Sequence, residues 1–220
     1  MSRSPFTRPF DQMPPALPLF PLTGSSILPG CQLPLNLFEP RYVSMALDTL
    51  ARDRLIGIVQ PLAEASGHES PPLYRTGVAG RIVSFTEAPE NRLMIVLNGV
   101  CRFDIQEERL TKKGYRLAQV DWSRYETDFR YMDEIPHDRK RLFSLTRDYF
   151  RMKGLDTHWD ALEQMPSVLL VNFLCSQLPF SVAERQALIE TLTPEERLSQ
   201  LLGFMEFELA ASMLGNFRQH

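Results

Sequence analysis

A histidine and two carboxylates in the second half of the chain are the residues best spaced to hold a metal ion. His158, Asp160 and Glu163 would lie partly on one face of a helix. Zinc sites need three or four converging ligands and favour i,i+4 pairs, a spacing that these three residues lack. Cys31 follows Gly30 in a loop, where a nearby cation could activate its thiolate, but a lone cysteine is more often a small buried apolar residue. We therefore predict no metal site and no catalytic residue.

The motifs of the common enzyme classes are absent from the sequence. None of the four lysines has the glycine and Ser/Thr neighbours of a phosphate-binding P-loop. HExxH, GxSxG and GxGxxG are also missing, which argues against the usual metalloproteases, serine hydrolases and dinucleotide enzymes. The remaining enzyme hypothesis places Glu39 and Arg41 beside Cys31, with a site between the two halves of the chain. Because such a pair more often orients a helix start, we predict that the protein is not an enzyme and uses no cofactor.

Composition and charge narrow the class of protein. Hydrophobic residues make up 44% of the 220, enough for a folded core, and the net charge is −3. Neither half has the basic excess that accompanies nucleic-acid binding, so nucleic acid is not the expected partner. The three cysteines form no CxxC pair, which indicates a reducing compartment, and no apolar run approaches the roughly twenty residues of a membrane span. We expect a cytoplasmic protein that does not contact membranes.

A tail and a β-rich domain are predicted for the first 125 residues. Residues 1–16 are polar and rich in proline, which indicates a flexible tail. From residue 17 onward, short apolar runs alternate with turn residues, and we assign 17–125 to one β-rich domain. The runs LPLFPL and QLPLNL contain prolines, which lack the backbone donor that an inner strand uses. Both runs are therefore predicted to be edge strands or the first strands of the sheet.

One helix and a hairpin are expected within this domain. Pro40 has the fixed φ of a first helical residue and predicts a helix to about Ala51. Two runs rich in Val and Ile flank residues 89–91 and predict a hairpin, in which Gly99 marks a bulge or bend. The remaining predicted elements are a strand at 54–61, a loop at 61–74 and a strand at 115–125.

The sequence period changes after a polar linker at 126–134. Apolar residues then recur at helical spacing, and we assign 135–220 to a helical bundle. Two capping boxes, in which each side chain bonds the other residue's backbone N–H, mark helix starts. They are Ser181 with Glu184, and Thr193 with Glu196.

Four short motifs carry a resemblance to a known family: PLFPL, LPG, LPLNLFEPRY and GVCRF. In order and spacing they resemble the Lon substrate-binding, or Lon N-terminal, domain family over nearly all of residues 17–205. The family implies an α+β fold, with an N-terminal PUA-like β pseudo-barrel followed by a C-terminal α-helical bundle. It also implies that the motif residues determine the fold. These are Leu19, Phe20, Pro29, Gly30, Phe38, Glu39, Pro40, Arg41 and Tyr42.

The resemblance makes protein binding the leading hypothesis. In full-length Lon proteases this domain contributes to recognising protein substrates. We therefore expect a non-enzymatic module that binds unfolded or peptide-like protein segments, an adaptor in protein quality control with a Lon-type protease as one candidate partner. Apolar residues in the long loop and in the segment joining the two halves are the predicted contacts. They are Leu62, Leu73, Tyr74, Phe129 and Tyr131.

RNA binding is the alternative, because PUA-like barrels elsewhere hold RNA. One predicted helix carries a cluster of cationic side chains, although Asp138 and Asp148 dilute its charge. A solvent-facing helix commonly has such charges, so the cluster alone does not favour RNA. Its members are Arg139, Lys140, Arg141, Arg147 and Arg151.

Overall fold

The computed structural model describes residues 8–62, 71–129 and 134–217, with side chains as far as residue 214. The chain divides into two compact units. Unit 1 combines residues 1–131 with 172–190, and unit 2 combines 132–171 with 191–220. The structure thus departs from the predicted division, because 172–190 joins the β-rich unit instead of the helical bundle. Residues 1–7 of the predicted tail lie outside the described residues, whereas Phe10–Gln12 form a short 3₁₀ helix and Ala16 begins the first strand.

Unit 1 is built on six strands that close into a barrel. The sheet order is β2-β5-β4-β3-β1-β6, and a further pairing of β6 with β5 closes a ring of five strands. β2 stays outside this ring and pairs with the first part of β5. The predicted pseudo-barrel is therefore confirmed. The strands are β1 (Ala16–Pro21), β2 (Gln32–Leu37), β3 (Leu55–Val59), β4 (Thr76–Ala88), β5 (Arg92–Leu110) and β6 (Arg116–Asp121).

The predicted hairpin and its bulge are both confirmed. β4 and β5 run antiparallel and meet at Ala88 and Arg92. Their register shifts where Ala79 lies opposite Cys101 while Gly80 lies opposite Gly99. An extra residue in one strand bends it and increases its twist, so β5 can pair with β2 before the bulge and with β6 after it.

β1 is not an edge strand; of the two predicted positions, edge strand or first strand of the sheet, it takes the second. It lies between β3, with which it pairs in parallel, and the antiparallel β6. Pro18 precedes Leu19, where the pairing with β3 begins, and Pro21 is the last residue of the strand. Pro18 therefore lies just outside the segment paired with β3, opposite Leu117 of β6, and Pro21 ends that segment. The prediction holds for β2, which is the last strand in the order.

The LPG motif forms a tight turn that leads into β2. Leu28 O accepts from the Cys31 N–H at 3.0 Å, with Pro29 and Gly30 at the two central positions. Gly30 has a φ of 84°, which an L-residue rarely adopts. The Gly30 N–H donates to Gly99 O at 3.0 Å, and the Gly99 N–H donates to Cys31 O at 2.9 Å. This is a bulge with a left-handed glycine at its first position, and it fixes the register of β2 against β5.

The barrel interior is filled by the apolar side chains of β1, β3, β5 and β6. Phe103 and Trp122 meet edge to face, with ring centroids 5.7 Å apart, and Tyr125 is fully buried beside them. Leu17 and Leu19 of β1 complete this core. The leucines of the proline-rich run thus point into the barrel, as the sequence predicted.

The described residues form six α-helices in addition to the strands. In unit 1, α1 (Pro40–Leu50) matches its prediction, and α5 (Val182–Glu190) begins at the predicted box of Ser181 and Glu184, with a Ser181 N–H to Glu184 Oε2 distance of 2.9 Å. Thr193 and Glu196 form the second box in the same way. The other helices are α2 (Arg139–Lys153), α3 (Trp159–Glu163), α4 (Ser167–Gln177) and α6 (Pro194–Phe217).

Unit 2 is held together by aromatic and ionic contacts of α2. Phe150 meets Trp159 of α3 edge to face at 5.2 Å. The Tyr149 hydroxyl donates to Glu208 of α6 at 3.1 Å, and Lys153 forms an ion pair with the same carboxylate. α2 therefore joins both other helices of the unit. The sequence pattern had not separated α3 from the surrounding chain.

Buried polar groups explain why 172–190 belongs to unit 1. Gln186 of α5 donates to Thr76 O at 3.1 Å and accepts from Gln60 Nε2 at 3.0 Å. Arg102 of β5 donates to Ile189 O at 3.1 Å. Because a buried polar group that loses its partner is destabilising, these bonds hold α5 on the barrel.

Asp48 connects α1 to the turn between β5 and β6. Its carboxylate accepts from Lys113 Nζ at 2.6 Å and from the Tyr115 hydroxyl at 2.9 Å. The hydrogen bond from Lys113 is the main cause that holds the pKa of Asp48 below its usual value. Such a carboxyl stabilises the fold above its unfolded pKa, about 3.9, and this contribution is lost as the pH falls through the lower folded pKa.

We expect Asp48→Asn to lower the free energy of unfolding by about 0.5–1 kcal/mol at neutral pH, since the pair is partly exposed. The difference from wild type should begin to shrink as the pH falls below about 4 and should disappear once the pH is below the lowered pKa of the folded carboxyl. Urea unfolding of both proteins at several pH values measures this. A difference that stays constant down to the lowest pH would contradict an ionic role for Asp48.

Candidate functional site

The outward face of β2 and β5 gathers apolar side chains that the core does not use. Along β2, Leu33 and Leu37 are buried, while Pro34 and Asn36 are exposed. Alternate residues of a strand point to opposite faces, so the exposed set lies on the outer side of the sheet. β2 therefore presents a solvent face whose chemistry is set by its even-numbered residues.

Residues of β5 extend this face. Pro34 lies opposite Val96, and Asn36 lies opposite Met94. Directly opposed residues in an antiparallel pair share a face, and diagonal neighbours remain within reach of long side chains. Phe38, which follows β2, is 66% exposed, and Met94 is 54% exposed. We call Pro34, Phe38, Met94 and Val96, with Asn36 among them, the β2–β5 face.

The β2–β5 face is electrically neutral. The segment from residue 22 to residue 38 contains no charged residue. The ionic groups beside it are paired: Arg92 Nη2 lies 2.8 Å from Glu90 Oε2, and Arg41 Nη2 lies 2.7 Å from Glu39 Oε2. Contiguous exposed apolar side chains with a polar border are typical of a surface that binds another protein.

The five contacts predicted from sequence lie elsewhere. Leu73 and Phe129 are partly buried against the barrel core, and Phe129 meets Phe10 at a centroid distance of 5.3 Å. Leu62 is 37% exposed and Tyr74 is half-buried; both contribute backbone bonds where the two ends of the long loop meet. Tyr131 falls outside the described residues. The structure thus brings Leu62, Leu73 and Tyr74 together but does not make them an open apolar surface.

Most of the family motif residues have structural positions. Leu19 is in the barrel core, and Phe20 meets Tyr42 edge to face at 4.6 Å. Pro40 is the first residue of α1, and the Glu39–Arg41 ion pair lies beside it. Phe38 differs, since its exposed ring packs into no core. We assign it to the β2–β5 face, and its role as a fold-determining residue stays a prediction.

The strongest electrostatic feature of unit 1 is internal. Arg102 is completely buried, and its guanidinium bonds Asp128 in two places, with Nη2 to Oδ1 at 2.7 Å and Nε to Oδ2 at 2.9 Å. Asp104 accepts from Thr76 at 2.7 Å and from Arg124 at 2.8 Å. Burial is the main cause that raises the pKa of Tyr125, whose hydroxyl donates to Asp104 at 3.3 Å. These groups satisfy one another inside the fold, so they form a structural network.

The described residues offer little for metal or membrane binding. Within 8–62, 71–129 and 134–217, no three His, Cys, Asp or Glu side chains converge as metal ligands. No helix of that part of the chain is long and apolar enough to span a membrane. Cys31, Cys101 and Cys175 are all buried thiols.

The cationic cluster of α2 is largely engaged by its own unit. Arg141 pairs with Glu206 at 2.7 Å, and Arg147 pairs with Glu163 at 2.8 Å. Arg151 pairs with Asp148 at 3.0 Å, and Arg139 donates to the backbone carbonyl of Glu163 at 2.7 Å. Neutralised arginines bind phosphate weakly, so the structure adds no support for RNA binding.

Comparison with known families decides the classification. Residues 16–206 match the model of the ATP-dependent protease La (LON) substrate-binding domain. The chain belongs to this family. The domain that defines this family is a non-catalytic, substrate-binding module of the protease. The family assignment made from the four sequence motifs is confirmed.

Relatives and solved structures agree with this family. The chain is 22% identical to a Lon protease of Flavobacterium johnsoniae over 94% of its own length, and 27% identical to one of Parabacteroides distasonis over 92%. It spans about a quarter of these relatives, 26% and 25% respectively. A Lon N-terminal domain protein from Xanthomonas campestris aligns over 86% of this chain and 98% of its own, with 27% identity and a TM-score of 0.61. The N-terminal domain of a Mycobacterium avium complex Lon protease shares the fold at a TM-score of 0.56.

Proposed function

We propose that this protein is a non-enzymatic module that binds unfolded or peptide-like segments of other proteins and acts as an adaptor in protein quality control. The observation that carries the proposal is the neutral, apolar β2–β5 face on a fold of the Lon substrate-binding family. Segments of unfolded proteins differ from folded surfaces in exposing apolar side chains. Met94 and Phe38 are both exposed on the β2–β5 face. Binding of an unfolded segment there would bury apolar area on both partners, which favours such segments.

The chemistry of the two exposed side chains suits a broad range of partners. Met94 has a flexible, polarizable thioether that can adapt to differently shaped apolar groups. Phe38 provides a large, rigid apolar ring at low entropic cost. Neither side chain requires a fixed hydrogen bond or charge from the partner. The face should therefore select apolar, uncharged segments without reading a particular sequence.

We expect the double change Phe38→Ser and Met94→Ser to weaken binding of a reduced, carboxymethylated model protein about 30-fold. Removing two large apolar contacts costs about 2 kcal/mol of binding free energy. The matched control is Phe207→Ser with Met213→Ser, two comparably exposed side chains on α6 in unit 2. Fluorescence anisotropy with the labelled, permanently unfolded protein measures both variants. Equal loss in the two variants, or no binding by the wild type, would contradict the proposal.

The adaptor role has its own experiment. A tagged chain with an intact β2–β5 face and the Phe38→Ser/Met94→Ser variant are used to capture partners from nuclease-treated lysate. We expect misfolded proteins, and a Lon-type protease if one is a partner, to be enriched by the first and not by the second. A protease captured equally by both would bind at another surface. Binding of unfolded proteins without any enriched protease would support the module and reject the partnership.

A further inference from the structure

Among the described residues, one edge of β2 has no partner strand, and the hydrogen bonds on its other side show which backbone groups face this open edge. The Gly99 N–H donates to Cys31 O, so the carbonyl of Cys31 points toward β5, while the Cys31 N–H donates to Leu28 O in the preceding turn. Successive residues of a strand alternate the side to which their N–H and C=O groups point. Leu33, Leu35 and Leu37 therefore point their backbone groups toward β5. Those of Gln32, Pro34 and Asn36 point away, to the open edge of the sheet.

Pro34 agrees with this orientation. It lies within the paired register, opposite Val96, yet it has no N–H to donate. A proline in a paired strand is tolerated where its nitrogen faces away from the neighbouring strand. The open edge of β2 thus offers three carbonyl oxygens, from Gln32, Pro34 and Asn36, and two N–H groups, from Gln32 and Asn36.

We propose that the open edge of β2 binds an extended peptide segment as an added strand, with apolar residues of that segment at alternate positions. The inference rests on the proposed function and names its mode of binding. Backbone groups spaced along an edge are matched by another peptide backbone, whose own donors and acceptors repeat at the same interval. Residues of the added strand opposite Pro34 and Asn36 lie on the same side as the β2–β5 face.

The open edge of β2 and the β2–β5 face together determine which peptide segment would bind. The added strand runs along an edge about 20 Å long, which accommodates about five or six residues. Its side chains alternate between the outer face, beside Pro34 and Phe38, and the inner side of the sheet. The edge bears no charge from Gln32 to Phe38, so charged residues in the segment gain no ion pair there. The expected partner is a short, uncharged, extended segment with an apolar residue at every second position.

Pro34 limits how tightly such a strand can bind. An added antiparallel strand would make two bonds each at Gln32 and Asn36 but only one at Pro34. Proline in an edge strand protects a protein from pairing indiscriminately with other chains. The edge is therefore suited to weak, reversible binding that gains selectivity from the apolar side chains.

The first experiment leaves the protein unchanged and alters the peptide backbone. The probe is acetyl-Lys-Val-Thr-Val-Thr-Val-Lys-amide, measured by isothermal titration calorimetry. One version has N-methyl groups on two of its valines, and another has them on both threonines. Added-strand binding predicts a loss of at least about 10-fold for one version and less than about 3-fold for the other. In an antiparallel strand with valines on the outer face, the methylated valines are the damaging set, because their N–H groups face β2.

The outcomes separate the binding mode from the proposed function. Equal affinity of the two methylated versions would overturn strand addition while leaving protein binding intact. An unmethylated probe that fails to bind, when the unfolded model protein still binds, would likewise overturn it. Failure of both the probe and the unfolded protein would remove the proposed function together with the inference.

A protein variant gives a second measurement with opposite expectations. Pro34→Ala adds an N–H to the open edge and removes apolar side-chain area. Strand addition predicts about 5-fold tighter binding of the unmethylated probe, the equivalent of one net hydrogen bond. Binding by side chains alone predicts weaker binding. Weaker or unchanged affinity in a variant that unfolds like the wild type would overturn the inference.

Discussion

Gly99→Ala is expected to lower the free energy of unfolding by about 4 kcal/mol. A Cβ at this position would lie 2.2 Å from Leu28 O and 2.8 Å from Leu28 C, both backbone atoms. Gly99 also exchanges hydrogen bonds with Gly30 and Cys31, so the two chain segments cannot separate without losing them. Relief of the clash would require the turn before β2 and the bend of β5 to move apart. The effect should therefore reach the attachment of β2 to the barrel.

Chemical denaturation of three variants checks this explanation. In Gly80→Ala, the atoms nearest the added Cβ would be Leu97 Cβ at 3.0 Å and Leu97 Cδ1 at 3.1 Å, so a shift of a few tenths of an ångström would relieve the contact. In Gly203→Ala, on α6, the added Cβ meets no described atom within 4 Å, and alanine favours a helix by about 1 kcal/mol. We expect the order of stability to be Gly203→Ala, wild type, Gly80→Ala and Gly99→Ala. A loss in Gly99→Ala no larger than that in Gly80→Ala would contradict the backbone clash.

Arg102→Met is expected to destabilise the fold by about 4 kcal/mol. The side chain of Arg102 is 0% exposed and that of Asp128 is 6% exposed, so the substitution leaves a carboxylate inside the protein without its counter-charge. The bond from Arg102 to Ile189 O would also be lost, and with it one attachment of α5 to the barrel. Breaking one partner of a buried ion pair costs more than the pair itself contributes, because the remaining charge is not hydrated.

The double variant Arg102→Met with Asp128→Leu tests that explanation. Removing both charges should recover more than half of the loss, since no charge then remains buried. Arg151→Met is the matched surface control, because Arg151 and Asp148 form an exposed pair on α2, and we expect no measurable change. Equilibrium unfolding of all three proteins measures the free energies. If the double variant were less stable than Arg102→Met, the buried charge would not be the cause.

The sequence correctly predicted the secondary-structure elements that depend on interactions between residues close together in the chain. Both capping boxes, the helix that starts at Pro40 and the hairpin before Arg92 are in place because each depends on residues a few positions apart. Non-local pairing was harder to predict. The prolines of β1 indicated an edge strand or the first strand, and β1 is an inner first strand in which Pro18 precedes the segment paired with β3 and Pro21 ends it. Nothing within LPLFPL distinguishes these two arrangements.

The grouping of 172–190 with the barrel also depends on distant partners. Its apolar period is that of a bundle helix, and the residues that attach α5 to the barrel are polar. Gln186 meets Thr76 and Gln60, which are more than a hundred positions earlier in the chain. The sequence around Gln186 does not show whether this glutamine is buried or exposed. The contact can be found in a structure and not in a single sequence.

The run RLMIVLN contains a sequence signal for the β2–β5 face. Leu93, Ile95 and Leu97 form the buried phase of β5, which leaves Met94 and Val96 on the outer phase. Apolar residues on both phases of a strand indicate a second covered or binding face. The predicted contacts were instead placed in loops, where Leu73 and Phe129 proved to pack on the core because the loops fold back onto the barrel.

The discontinuous make-up of unit 1 has a consequence for biosynthesis. A ribosome adds about 5–20 residues per second, so the strands of the barrel emerge several seconds before α5 does. During that interval Arg102 and Thr76 lack their partners on α5. The part of the barrel surface that residues 172–190 cover in the folded protein is then exposed to solvent. The barrel can reach its final stability only after residue 190 has left the exit tunnel. Until then, the nascent barrel lacks the hydrogen bonds that Gln186 and Ile189 supply.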